Sequence, residues 1–345
     1  MKGRTDTPRS TYLPVRAEWL ARRAETALEP DLAIIDAHHH LWDRPGWRYM
    51  LEELLADIDG CGHRIVGTVF VQCQTMYRAE GPDAMLPVGE TAFVAGVAEE
   101  AMRLGRHGVC AGIVGHADLR LGAAVDAVLE AHVEAGAGRF RGIRHITAND
   151  RDPGMSNPLS AVAAGLLADR AFREGFARLE GHGLSFDGWL FHPQLDELTE
   201  LARAFPKTVI VLDHLGGILR IGAYAGRDEA EFMRWEGAIR RLAACGNVVV
   251  KLGGMGMRIN GFGFEQGVDP PSSEALAAAW RPWVEVCLDA FGAGRCLFQS
   301  NFPVDKGSYG YGVGWNAFKR LAAGASDAER SALFSGTARR VYRLA

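Results

Sequence analysis

The chain has 345 residues, 48% apolar and 23% charged, with a net charge of −4. That balance describes an ordinary folded globular protein and excludes the strongly basic field that gathers nucleic acid. Its longest apolar runs, such as VIVL at 209–212 and VVVKL at 248–252, fall far short of the roughly 20 residues a bilayer crossing needs, so no membrane span is expected. The opening MKGRTDTPRSTYLP lacks the apolar core of a secretory leader, and the six cysteines show no CxxC spacing. Reduced, buried thiols and a cytoplasmic location are the expectation.

In chain order, residues 1–30 precede the first apolar run and include AEWLARRAETALEP, which reads as an extra helix. The expected division is therefore an N-terminal extension over 1–30 and one domain over 31–345. Short runs rich in Val, Ile and Phe follow: LAIIDAHHH (32–40), RIVGTVFVQCQ (64–74), VCAGIVGHADL (109–119) and RFRGIRHIT (139–147). Four more are LSFDGWLFHP (184–193), TVIVLDHLGG (208–217), NVVVKLGG (247–254) and RCLFQSNFP (295–303). Between them lie longer segments with helical apolar spacing, most of them stopped by Gly or Pro. Continuous apolar strands alternating with helices imply a parallel sheet covered on both faces. About eight such units predict an α/β fold of the closed (β/α)8 TIM barrel type, and the absence of a GxGxxG after the first strand counts against an open nucleotide-binding sheet. Insertions at about 148–168 and at 256–273 fall after strands four and seven, on the face where substrate loops sit. ASDAERSALFSGTARRVYRL (325–344) reads as a closing helix with a Ser-Asp cap.

The strand-like runs end in polar residues that no core selects: Asp36, His38 and His40; Gln72 and Gln74; His116; Arg144 and His145. The later ones end in His192, in Asp213 and His214, in Lys251, and in Gln299 and Asn301. In a parallel barrel all of these ends meet at one mouth. Side chains alternate along a strand, so His38 and His40 share a face and His39 takes the other. An imidazole pair on one face suits a single divalent ion, and a catalytic zinc site takes about three protein ligands. His192 and His214 are the natural completions, and His38, His40 and His192 are the expected ligand set. In a polar loop the same triplet would be solvated surface residues; the preceding LAIID argues for a buried strand end. Arg144 or His145 matches a substrate carboxylate, Lys251 a developing oxyanion, and Gln74 and His116 complete the substrate-binding candidates. Trp42, Trp47, Tyr309 and Tyr311 either wall the pocket or pack the loops.

The ordered series DAHHHLWD, GIRH, FHPQLDEL, LDHLGG, VVVKLGG and SNFPVDK resembles the amidohydrolase superfamily, and within it the "amidohydrolase 2" branch of lactone hydrolases and related decarboxylases. The resemblance covers roughly residues 33–344 and implies a distorted (β/α)8 barrel that hydrolyses an ester or amide, with His38, His40, His192 and His214 at the site. Two departures stand out. The superfamily usually ends strand eight in an aspartate, where this chain has Asn301; an amide cannot exchange a proton at neutral pH. Asp305 is the nearest carboxylate and reaches the site only if the loop folds back, so Asn301 and Asp305 both join the catalytic candidates. No lysine lies on strand four, so a lysine-bridged metal pair is not expected. Two alternatives remain open: one divalent ion, zinc or manganese, or metal-independent activation of water by His38, His40 or His214. The expected activity is opening of a lactone of a sugar acid or of an aromatic-catabolism intermediate. A metal-dependent decarboxylase of the same branch and a non-catalytic binding barrel are the alternatives. The expected partner is a small-molecule substrate, and homodimer formation stays open.

Overall fold

A computed structural model describes residues 12–155 and 162–345. Its eight-stranded parallel sheet runs in chain order: β1 (Ile34–His39), β2 (Ile65–Val71), β3 (Gly112–Gly115), β4 (Phe140–Ile143), β5 (Ser185–Gly188), β6 (Ile210–Leu212), β7 (Val248–Leu252) and β8 (Cys296–Phe298). The chain after β8 returns to β1: Asn301 N donates to the His38 carbonyl at 2.9 Å and His40 N to that of Phe302 at 2.8 Å. The sheet thereby closes into the expected barrel. Each strand leads to an outer helix: α1 (Leu51–Gly60), α2 (Val88–Arg103), α3 (Asp126–Ala135), α4 (Arg170–Gly181), α5 (Leu195–Ala204), α6 (Asp228–Ala243), α7 (Ser273–Phe291) and α8 (Tyr311–Leu321).

Local sequence accounts for these elements. In α4 the Asp169 side chain accepts from Phe172 N at 2.8 Å, satisfying one of the first-turn donors. Phe172, Phe176 and Leu179 then recur at helical spacing and are buried against the sheet. Truncating one of these rings to alanine would cost about 3–5 kcal/mol. Along the strands, one set of side chains faces the helices, and the alternate set (Ile35, Val69, Val71, Val114, Val211, Val249, Leu297) fills the lumen. Tyr342, from the C-terminal helix Thr337–Tyr342, plugs the N-terminal end of that lumen.

All six cysteines are buried and unpaired by disulfides, and among the described residues no helix is long and apolar enough to cross a membrane. The extra N-terminal helix is reduced to one turn, Ala17–Leu20. Tertiary hydrogen bonds replace the helical ladder: Trp19 donates to Gly267 O and Val268 O, Arg23 to Pro270 O, and Leu28 N to Asn316 Oδ1. The closing helix does begin at the Ser326 cap, with Glu329 returning the bond to Ser326 N, but a π-helical turn over Ala332–Gly336 interrupts it. Both insertions lie on the mouth side, contributing Met155, Met257 and Ile259 to one chamber. Residues 1–11 of the extension and 156–161 of the first insertion lie outside the described residues.

Candidate active site

β1 presents its histidines through a slip in alternation. Its pairing with β2 shifts register between Asp36 and His39, so Ala37 fills the lumen while His38 also points inward. The His38 and His40 rings meet at 4.8 Å; His39 turns outward against Phe70 and Cys110, as alternation requires. Asp36 does not join the mouth. Its carboxylate accepts from Ser300 N at 2.9 Å, Ser300 Oγ at 2.6 Å and Tyr311 OH at 2.9 Å, bracing the β1–β8 seam. Three non-glycine residues of the mouth hold left-handed backbone: Gln74 (φ 60°), His214 (φ 54°) and Asn301 (φ 57°). Such conformations persist only where the surroundings impose them. The second glycine of VVVKLGG serves this geometry, since a Cβ on Gly254 would lie 2.2 Å from His214 Nδ1.

Beneath the histidines Lys251 is fully buried. It donates to Asp187 Oδ2 at 2.6 Å and His38 Nδ1 at 3.1 Å, and pairs with Asp213 Oδ1 at 3.1 Å. Tyr342 donates to the same Asp187 oxygen at 2.8 Å. Burial opposes charge on Asp213, but Lys251 and His38 more than offset it and hold the carboxyl well below its ordinary range. Burial, aided by Lys251 at His38 and by Arg144 at His40, keeps both imidazoles well below 6.5. His214 is pushed down to about 3, chiefly by burial. All three rings are therefore neutral at pH 7.

The hydrogen bonds also locate the protons. His40 Nδ1 faces the Val71 carbonyl at 2.7 Å, so it carries the proton and leaves Nε2 bare. Gln299 donates to His214 Nδ1 at 2.8 Å, which places the His214 proton on Nε2. His38 has two states. With Lys251 donating to Nδ1, its proton sits on Nε2 and points at His40 Nε2, 3.2 Å away. With Nδ1–H turned to Asp213 Oδ1 at 3.4 Å, two bare Nε2 atoms face each other.

That second state is the one a cation requires. Two bare imidazole nitrogens 3.2 Å apart stand as two ligands of one ion do, with bonds of about 2.0–2.1 Å. His38 and Asp213 also offer ligand atoms within 4.8 Å of one another; the third member of that cluster, His214, is committed to Gln299 at Nδ1 and protonated at Nε2, and Asp213 is ion-paired to Lys251 at 3.1 Å and to Arg144 at 3.5 Å. Neutral imidazoles with one carboxylate fit a divalent ion of the zinc type. His192, expected among the ligands, is a correction. Its Nδ1 accepts from Leu219 N at 3.2 Å and its Nε2 meets Glu231 of α6 at 3.0 Å, so neither nitrogen has a lone pair to give. β5 ends at Gly188, and His192 opens a separate turn that aims its ring at α6.

Above this floor opens a chamber of about 670 Å³, its mouth included. His40, Arg144, His214 and Asn301 line its base, and Trp42 is one of its walls. Arg144 donates to the Gln72 carbonyl and lies 3.3 Å from His38 Nε2 and 3.5 Å from Asp213 Oδ2. Asn301 donates Nδ2 to Asp305 Oδ1 at 2.8 Å, leaving the carbonyl end of its amide for the chamber. Asp305 does fold back, yet only behind Asn301: Gly256 N and Tyr309 OH occupy its other oxygen at 2.8 Å each, and burial raises it to about 7. It positions Asn301 and does not line the chamber. Lys251 is also corrected, because a fully buried ammonium with three partners cannot reach a substrate oxyanion. Gln74, His116 and His145 line a second, more polar compartment with Gln72 and Arg120, separate from Arg144. Tyr309 and Tyr311 pack behind the site, and Trp47 braces Trp42 at 4.6 Å. Sequence reasoning missed Asp187, a carboxylate inside an apolar run, and most chamber walls, which come from loops.

A barrel whose mouth gathers neutral histidines, an arginine and a buried carboxylate defines a (β/α)8 hydrolase. The chain belongs to the amidohydrolase family, whose model matches residues 35–344, and is an enzyme acting on ester or amide bonds. It is 34% identical over 336 residues to the uncharacterized protein y4mH of Sinorhizobium fredii, covering 91% of this chain and 99% of that one. It is 28% identical over 321 residues to an L-fucono-1,5-lactonase of Burkholderia multivorans, covering 90% and 96%. A crystal structure of a Burkholderia multivorans amidohydrolase with bound zinc is similar at a TM-score of 0.70 and 27% identity, covering 91% of this chain and all of that one.

Proposed function

We propose that the protein opens a lactone by attack of water on the ring carbonyl at the chamber floor. The observation that carries this reading is the bare His40 Nε2 at the base of a chamber that Arg144 and His214 also line. The lactonase relative supports it. Arg144 and the His214 Nε2–H are donors suited to the oxygen that turns negative as water adds. His40 Nε2 accepts the proton of the attacking water, and the Val71 carbonyl on Nδ1 stabilises the imidazolium that results. As the tetrahedral adduct collapses, the ring C–O bond breaks and the proton passes to the departing alkoxide, giving the hydroxy acid. Asn301, held by Asp305, offers its amide oxygen to orient the attacking water.

His40 is a weak base because burial and Arg144 depress it. A divalent ion held by the Nε2 atoms of His38 and His40, with Asp213 as a further ligand, would act in place of His40 as the activator of water: it would polarise the carbonyl and bring bound water toward a neutral pKa. The test is acid release from a lactone panel, followed with and without added zinc or manganese. Ring opening abolished by His40→Ala is the expected result. Loss of carbon dioxide from aromatic acids with no ring opening would select a decarboxylase, and binding without turnover a non-catalytic barrel; either refutes the proposal.

A further inference from the structure

The chamber's polarity is lopsided. Its hydrogen-bonding groups gather at the base, in His40, Arg144, His214 and Asn301, and the Cys73 thiol is already committed to the Leu41 carbonyl. The described walls rise as Trp42, Ile146, Trp189, Phe191, Met257 and Ile259, carbon surface broken by the indole nitrogens and the Tyr12 hydroxyl. Trp42 stacks beside His40 at 5.7 Å, and Trp189 stands edge-on to His214 at 4.8 Å, so each floor imidazole is flanked by an indole. Among the described lining residues only Arg144 is ionic, and Asp213 already matches it at 3.5 Å.

Resting on the lactonase reading, we infer that the substrate is a lactone with an apolar body, aryl or branched alkyl, rather than a polyhydroxylated or dicarboxylate lactone. A flat or branched hydrocarbon loses nothing by leaving water for these walls and gains their contact. A sugar hydroxyl buried there without a partner costs on the order of tenfold in binding. Two carboxylates would meet one cation that already has its counter-ion, and would be left largely unpaired. The groups that suit hydroxyls lie elsewhere, in the compartment lined by Gln72, Gln74, His116 and His145. Arg144 stands between the two, donating to Gln72 O and accepting at its own carbonyl from His116 Nδ1 at 3.2 Å.

The experiment compares kcat/KM for 3,4-dihydrocoumarin, D-glucono-1,5-lactone and 2-pyrone-4,6-dicarboxylate, each corrected for spontaneous hydrolysis, with and without zinc or manganese. The expected result is a preference for dihydrocoumarin of about 100-fold or more, the cost of two or more unpartnered hydroxyls. Met257→Gln, at a half-buried loop position on the wall, should narrow that ratio. If the gluconolactone or the dicarboxylate is preferred, this inference is overturned while the lactonase reading stands, and the polar compartment becomes the hydroxyl site. If no lactone is opened under any condition, the lactonase reading itself fails and takes the inference with it.

Discussion

Replacing Lys251 with methionine removes the ammonium that stands between two buried carboxylates and His38. The side-chain volume is nearly conserved, so the loss is electrostatic. Removing one partner of a buried ion pair costs about 3–5 kcal/mol, because the charge left behind is neither solvated nor matched. With an unfolding entropy of about 2.1 cal/mol/K per residue, a chain of 345 residues loses about 1.4 °C in Tm per kcal/mol, hence about 4–7 °C in all. The deficit must also depend on pH. Without the ammonium, Asp187 and Asp213 titrate in the folded variant above their unfolded value. A raised folded pKa gives stability that is present at low pH and lost as pH rises, so the gap to wild type is widest near pH 8 and shrinks toward pH 5. Lys251→Met/Asp187→Leu, which removes the stranded partner as well, should recover part of the loss. Thermal melts of the three proteins at pH 8, 6.5 and 5 decide the matter. A gap under 1 °C at pH 8, or one that does not narrow on acidification, refutes the reasoning.

Gly254→Ala should fold yet lose about 100-fold in kcat/KM on any substrate, because its methyl would displace the His214 ring; unchanged turnover would remove that glycine from the site's construction. His40→Ala should lower the zinc retained after dialysis, measured by elemental analysis, whereas His192→Ala should leave it unchanged and cost only about 1–3 kcal/mol of stability through the hydrogen bond lost from buried Glu231. Metal lost from the His192 variant would restore that residue to the ligand set. Acid should destabilise the fold: burial lowers His39 and His132 to about 4 and His145 to about 3. The unfolded chain therefore takes up protons between pH 6.5 and those values that the folded one refuses. Glu90 and Asp305, raised to about 7 by burial, pull the other way but are fewer. A Tm at pH 5 equal to that at pH 7 would contradict this balance.

What was legible in the sequence followed strand grammar. Polar residues closing apolar runs announced His38, His40, Arg144, His214 and Asn301, since only a shared barrel mouth gives such endings a purpose. The grammar failed where the backbone departs from ideal alternation. The slip in β1 sends Asp36 out to Tyr311, and the early end of β5 turns His192 toward Glu231. Lys251 was recognised as special but given the wrong depth, because a strand-end lysine and one sealed a layer below it read alike in one dimension. Asp187 carried a readable signal, an acid mid-strand that must find a buried cation. The walls had a weaker one: the Pro-Gly turn of WDRPGW marks the hairpin Trp42–Arg44/Trp47–Tyr49 that sets Trp42 beside His40. Ile146, Met155, Met257 and Ile259 come from loops, where no period tells inside from outside.

The seam where Asn301 holds the His38 carbonyl joins segments of the chain more than 260 residues apart, with Ser300 and Asp36 separated by 264. A ribosome adding about 5–20 residues per second therefore emits His38 roughly 15–50 s before its closing partner exists. No shorter nascent chain can be active, and until β8 arrives β1 offers an unpaired edge to any strand nearby. Fragments that stop before Asn301 should be inert and prone to aggregate. Two halves of the barrel, co-expressed, should regain activity only when both sides of that seam are present.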